Sequence, residues 1–199
     1  FVLIALGMYF VIGAPLKHLG IIITAGLLGL FIAVKTAPYR LARFTAFLNP
    51  EIDPQGIGWQ IKQALIAVGS GHYFGLGIGQ SRQKFRYLPE PAGDSIFAII
   101  AEELGFIFTL LFLSLFVFLM LRGFKIIRNS NDNFAKLIAL GITIWLTAQV
   151  FINIAALIGL LPLTGVPLPF VSLGGSNLMV TLLSIGLLAN ISKFTKKYE

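Results

Sequence analysis

Five stretches of this chain carry no Asp, Glu, Lys or Arg over lengths that matter to a bilayer: Phe1 to Leu16, Leu19 to Val34, Gln63 to Ser81, Leu104 to Leu121 and Leu137 to Ser192. About 20 mostly apolar residues let a helix cross roughly 30 Å of hydrocarbon. The last run holds two such helices, divided by Pro162, Pro167 and Pro169. The pattern predicts an all-α, polytopic transmembrane helix bundle. It is one membrane domain over 1–199 with about six spans, at about 1–16, 19–35, 59–79, 94–121, 136–160 and 177–191. Composition agrees, with 57% hydrophobic and 12% charged residues against ~25% charged in soluble domains.

Several functions are set aside by the same residues. There is no Cys, hence no disulfide framework and no thiol chemistry. His18 and His72 have no acid at metal-ligand spacing, so no metal site is expected. The net charge of +7 comes from basic residues flanking apolar segments, which suits membrane orientation and not nucleic acid. Gly75, Gly77 and Gly79 lack the spacing and the βαβ setting of a dinucleotide loop. The chain opens at Phe1 inside apolar sequence, with neither an initiator Met nor a basic flank, and is expected to be part of a longer protein.

After Pro38, the segment carrying Arg40 and Arg43 is expected to be a helix lying at the surface, followed by a turn-rich loop through Glu51 and Asp53. The segment 59–79 contains Lys62, His72 and five glycines. If it crosses, ten cations fall on one side and four on the other; if it does not, the sides carry seven and eight. The positive-inside bias favours crossing, as a broken span lining a protein cavity. That places Arg40 and Arg43 opposite Arg82, Lys84 and Arg86.

The stretch from Gly75 to Gly105 then gathers charge between two apolar segments, where charge is costly. In the outward loop 80–93, Arg82, Lys84 and Arg86 would point to one side if the chain is extended, which suits a lipid phosphate or diphosphate as well as plain headgroup contact. Asp94 precedes a helical run and has two readings, an N-cap and a carboxylate general base at the membrane surface. Asp94, Ala98, Ala101, Glu102 and Gly105 share a helical face that should turn toward protein, with Phe97, Ile100, Phe108 and Leu111 on others. Glu102 and Glu103 suit structural hydrogen bonding or a supporting electrostatic role. The pairs Gln149 and Asn153, and Asn177 and Thr181 with Ser184, suit bonding between helices, while the prolines and Ser172–Ser176 turn suit helix capping and re-entry.

The patterns GIGQSRQKFRYLPEP at 77–91, DSIFAIIAEELGF at 94–106 and NIAALIGLLPLTGVPLPFVSLGGSNL at 153–178, with YRLARFTAFLNPEIDPQGIGWQI at 39–61, resemble the SEDS family (FtsW/RodA/SpoVE), its FtsW type more than RodA. The resemblance implies a ten-span fold, of which this chain is the later portion, inactive alone. It implies a peptidoglycan glycosyltransferase that polymerises lipid II in cell division and cell-wall synthesis, releasing undecaprenyl pyrophosphate. Its expected place is the bacterial cytoplasmic (inner) membrane, with an extracytoplasmic active site. Lipid II, nascent glycan, a class B penicillin-binding transpeptidase and other division proteins are the implied partners. No cofactor is implied, and a divalent cation stays open. By position, Asp94 takes the role of the family's catalytic carboxylate, which removes the proton from the acceptor sugar hydroxyl, Arg82, Gln83, Lys84, Arg86 and Glu90 that of substrate binding, and Glu102 and Glu103 a supporting one. Gly93-Asp94-Ser95 departs from the family's Thr-Asp-Phe, Ala101 from a common glycine and Phe108 from a small residue, and the Glu-Pro-Asp-Leu-Gly motif of the earlier half is absent. A lipid II flippase and a non-catalytic division scaffold are the competing functions.

Overall fold

In the computed structural model, which describes residues 2–11, 13, 15–36, 38–52, 56–86 and 88–195, the apolar runs become helices. The side chains of Arg40 and Arg86, and all of Asp53 and Tyr87, lie outside the described residues. Among the described residues there is no strand, and the order is α1 (Val2–Val11), α2 (Leu16–Thr36), α3 (Pro38–Leu48), α4 (Ile57–Ser70), α5 (Gln83–Arg86), α6 (Ile96–Asn129), α7 (Asn133–Leu157) and α8 (Gly175–Lys193). The protein is all-α. Three of these helices, α6, α7 and α8, are long and apolar enough to cross a membrane.

Local chemistry sets the helix ends. Arg128 sits in the last turn of α6, where a cation suits the carbonyl end of the helix dipole. Three residues after the end of α6 at Asn129, Asp132 caps α7, its carboxylate accepting the Ala135 N–H at 2.8 Å. So short a turn makes α6 and α7 antiparallel neighbours, and Gly123 lets them close, since a Cβ there would overlap the Thr143 side chain. Far from Asp94, Ile127, Ala139, Leu140 and Leu188 form one apolar cluster with Met8 of α1 against it. A second, beneath Asp94, joins Ile61, Ala64 and Ala67 of α4, Phe97 and Ala98 of α6, Ala156 and Leu157 of α7, and Leu163 and Leu168 of the following loop.

The expected crossing at 59–79 is not one. At 14 residues, α4 spans about 21 Å, short of the hydrocarbon thickness. Gln60 near its start donates to the Ser95 hydroxyl at 3.5 Å, and the returning chain brings the Pro89 carbonyl to the same hydroxyl at 3.1 Å. The segment therefore enters beside α6 and comes back to the end it left. This puts Arg43 of α3 at the Asp94 end, not opposite it, so the even distribution of seven and eight cations is the one that matches. The expected surface helix is present as α3, with Ala46 buried and Tyr39, Leu41 and Phe44 exposed.

Residues 71–77 lie against a break in α6. Gly105 leaves the helix at φ 76°, ψ 179°, which frees carbonyls before it and amides after it. The Leu76 and Gly77 N–H groups donate to the Glu102 and Glu103 carbonyls, each at 3.0 Å, while Phe106 and Ile107 donate to the His72 and Tyr73 carbonyls at 2.8 and 3.2 Å. Unpaired backbone in an apolar medium costs several kcal/mol per group, so this exchange is what makes the break tolerable. It requires glycine at the points of approach: a Cβ on Gly71 would overlap the Ala101 carbonyl, and one on Gly75 that of Glu103.

Candidate active site

Asp94 is not the cap of α6. The N-cap is Ser95, and its buried hydroxyl turns away to donate to the Pro89 carbonyl, lying 3.4 Å from Asp94 Oδ1. Asp94 sits one residue earlier, half-buried, with its carboxylate uncommitted to the helix end.

Its backbone is held from three directions. Asn153 of α7 donates through Nδ2 to the Asp94 carbonyl at 2.7 Å and to the Val166 carbonyl at 2.8 Å, joining Asp94 to the loop 161–173. Ser172 of that loop accepts the Leu168 N–H at 2.7 Å and donates to the Gly93 carbonyl at 2.6 Å; the Leu173 N–H reaches the Ala92 carbonyl at 2.7 Å. Gln149, one turn before Asn153, donates to the Pro167 carbonyl at 2.9 Å and to Asn177 Oδ1 of α8 at 3.1 Å. Of the two expected interhelical stripes, only Gln149 and Asn177 bond helix to helix among the described contacts; Asn153 serves the loops, and Thr181 and Ser184 donate to the Asn177 and Val180 carbonyls of their own helix. Ser172 also does more than turn the chain.

Burial pushes the Asp94 carboxyl above its usual range; its own amide N–H and the Ser95 hydroxyl oppose this, Glu90 adds to it, and Arg43 opposes it. Arg43 is therefore the cation that bears on Asp94 among the described residues. Its Nη1 donates to the Leu163 carbonyl at 3.2 Å. Sequence reasoning assigned it to the other side, and its sole local signal was a basic residue on the inner flank of an amphipathic helix.

The loop cations stand differently from the expected extended row. Gln83–Arg86 is one helical turn, so residues two apart diverge. Glu102 holds that turn: buried to 1% exposure, it accepts from the Ser81 hydroxyl at 2.5 Å, the Arg82 N–H at 3.1 Å and the Gln83 N–H at 3.4 Å, while Ser81 accepts the Lys84 N–H at 3.1 Å. Arg82 and Lys84 are exposed with no acidic partner among the described residues, and the Arg86 side chain lies outside those residues. Glu90 is exposed at φ 47° in the turn closed by the Gly93 N–H. Glu103 has one buried oxygen, Oε1, without a hydrogen bond. The buried face Ala98, Ala101, Glu102 and Gly105 is as expected, but Phe97 joins it because α4 and the loop wrap the first turns of α6. Among the described residues no three His, Cys, Asp or Glu side chains are placed to hold a metal ion.

A half-buried carboxylate with raised proton affinity, its backbone held by Asn153 and Ser172, is suited to general-base chemistry. The family profile described as cell cycle protein, FtsW/RodA/SpoVE, matches residues 1–197. The chain belongs to the FtsW/RodA/SpoVE family. Its similarity to Stage V sporulation protein E of Bacillus subtilis is 50% identity over 95% of this chain and 52% of that protein. To the probable peptidoglycan glycosyltransferase FtsW of Trichlorobacter lovleyi it is 46%, over 77% and 40%. A solved chain from a study of how a peptidoglycan synthase complex coordinates polymerization and crosslinking superposes with a TM-score of 0.73 at 28% identity, over 96% of this chain and 53% of that one. The chain thus spans about half the length of these relatives of the FtsW/RodA/SpoVE family.

Proposed function

We propose that the Asp94 loop is the catalytic end of a peptidoglycan glycosyltransferase that polymerises lipid II. Asp94 removes the proton from the acceptor sugar hydroxyl, that oxygen bonds to the donor's anomeric carbon, and the bond to the lipid diphosphate breaks, its electron pair leaving with undecaprenyl pyrophosphate. The observation that carries this reading is that Asp94 is released from capping duty by Ser95 and held half-buried by Asn153 and Ser172. Names of relatives such as the probable peptidoglycan glycosyltransferase FtsW support it. Arg82, Gln83, Lys84, Arg86 and Glu90 are the proposed contacts to the substrate, with the cations taking the diphosphate charge. Glu102 is proposed to support them by fixing their turn, and Glu103 lies beside it. The site faces the extracytoplasmic side of the inner membrane, where a class B penicillin-binding transpeptidase and other division proteins would receive the glycan.

The test is lipid II polymerisation by the full-length protein with and without Asp94→Asn. Loss of a general base lowers the rate by about 10²–10⁴-fold. Because burial disfavours the charged carboxyl, the substitution should leave thermal stability in detergent unchanged or slightly raised. Polymerisation that survives in the Asn variant sinks the reading; lipid II translocation with no polymerisation in either version would favour a flippase, and neither activity a scaffold.

A further inference from the structure

We infer that Arg43 of α3 is a positioning residue for Asp94, clamping the loop 161–173 over the carboxylate and supplying the positive charge that holds it as a base. The inference rests on the reading of Asp94 as a general base. Its grounds are geometric. The loop 161–173 contains no charged residue, yet it forms one wall of the site: a Cβ on Gly165 would lie 3.6 Å from Asp94 Oδ2. Asn153 and Gln149 hold this loop at Val166 and Pro167, and residues 92–93 hold its far end at Ser172 and Leu173. Arg43 ties its near end, at Leu163, to α3. A guanidinium is suited to this, since its rigid fork of donors can grip a carbonyl while the charge stays directed elsewhere.

The charge matters because burial and Glu90 both disfavour ionisation of Asp94, and beyond the hydrogen bonds of its own amide and the Ser95 hydroxyl it is the Arg43 charge, among the described residues, that opposes them. From α4 comes Gln60, by way of Ser95; from α7 come Gln149 and Asn153; from the 88–93 turn comes Glu90, whose charge opposes that of Asp94. Burial acts in the same direction as Glu90, and Arg43 opposes both. Take the cation away, and the carboxyl holds its proton to a higher pH, so less of it is available to accept the sugar proton near neutrality. A side chain that merely braced the loop would lower the rate equally at every pH.

Polymerisation of lipid II by the full-length protein, measured from pH 5 to pH 8.5, separates the two roles. Arg43→Gln is expected to move the acid limb of kcat/KM to higher pH, with a loss of roughly tenfold at its acid end that shrinks toward pH 8.5. Arg43→Lys keeps the charge and loses the fork; its acid limb should stay where the parent's is, with a smaller loss uniform in pH. Arg43→Met retains the apolar stem and is the second neutral variant should Gln weaken the fold, judged by melting in detergent. An acid limb that stays in place in a folded neutral variant overturns the role of the charge, and so does a Lys variant displaced as far as Gln. Asp94→Asn in the same assay tells the two ideas apart: if it is inactive while the Arg43 profiles coincide, only the inference about Arg43 falls. If it is active, both fall.

Discussion

The two parts of α6 on either side of Gly105 are both largely apolar in sequence and opposite in surroundings. Before the break, Phe97, Ala98, Ile99, Ala101 and Glu102 are buried, wrapped by α4, by residues 71–77 and by the loop 161–173. After it, Phe106, Phe108, Leu110, Leu111, Leu115 and Phe118 are exposed, as a lipid-facing helix surface would be. Only the first part carries acids, and Glu102 finds there the Ser81 hydroxyl and the Arg82 and Gln83 amides, donors that lipid lacks. The difference teaches that hydropathy marks what enters the membrane region, whereas burial there depends on which other chain segment arrives beside it.

The sharpest way to break the contrast is to close off the approach at Gly75. Gly75→Ala places a side chain at φ 79° and drives its Cβ into the Glu103 carbonyl. The backbone conformation alone costs about 1–2 kcal/mol, and losing the bonds to Glu102 and Glu103 adds to it, so yield and melting temperature in detergent should collapse. Gly69→Ala, with open space around it within α4, is the control and should be neutral or mildly stabilising. If the two behave alike, the break in α6 does not depend on residues 71–77.

A smaller effect is expected one turn earlier. Glu102→Ala leaves the Ser81 hydroxyl and the Arg82 and Gln83 amides without their acceptor, at about 1–3 kcal/mol for each group that water cannot reach. Glu102→Gln retains an acceptor oxygen and should lose less. Hydrogen exchange should rise at 82–84 in the Ala variant while α7 stays protected; unchanged exchange there would mean the turn holds without Glu102.

Smallest of all should be Leu111→Ala, beyond the break. Leu111 is 61% exposed and packs against nothing the fold requires, so the loss should stay within about 0.5 kcal/mol. A larger loss in the full-length protein would show that this face is covered by protein there, and the comparison between the two parts of α6 would narrow accordingly.

Much of this was legible beforehand for a physical reason. The small and polar face of Ala98, Ala101, Glu102 and Gly105 follows from helical periodicity, which needs only local spacing. The same holds for α3 at the surface and for Asp132 with Ser130 and Asn131 as a turn. Asp94 was legible as an important acid but not as an uncapped one, because capping by Ser95 or Asp94 differs by one residue of backbone dihedral. Arg82 and Lys84 were misplaced relative to one another since nothing in RQKFR announces a single helical turn; Glu102, about 20 residues on, completes it. Arg43 was assigned to the wrong end because the positive-inside bias was taken to decide that 59–79 crosses.

By itself, then, the sequence settled what summed side-chain transfer energies can settle: helices throughout, an apolar environment for most of them, and an acidic residue at the mouth of the longest. Tertiary structure alone decided that residues 57–93 enter and return, that α6 breaks at Gly105, and that Arg43 reaches Leu163 beside Asp94. The reason is that these features are held by hydrogen bonds between segments tens of residues apart. Each is feasible only when its distant partner is in place, and a local pattern has no knowledge of partners.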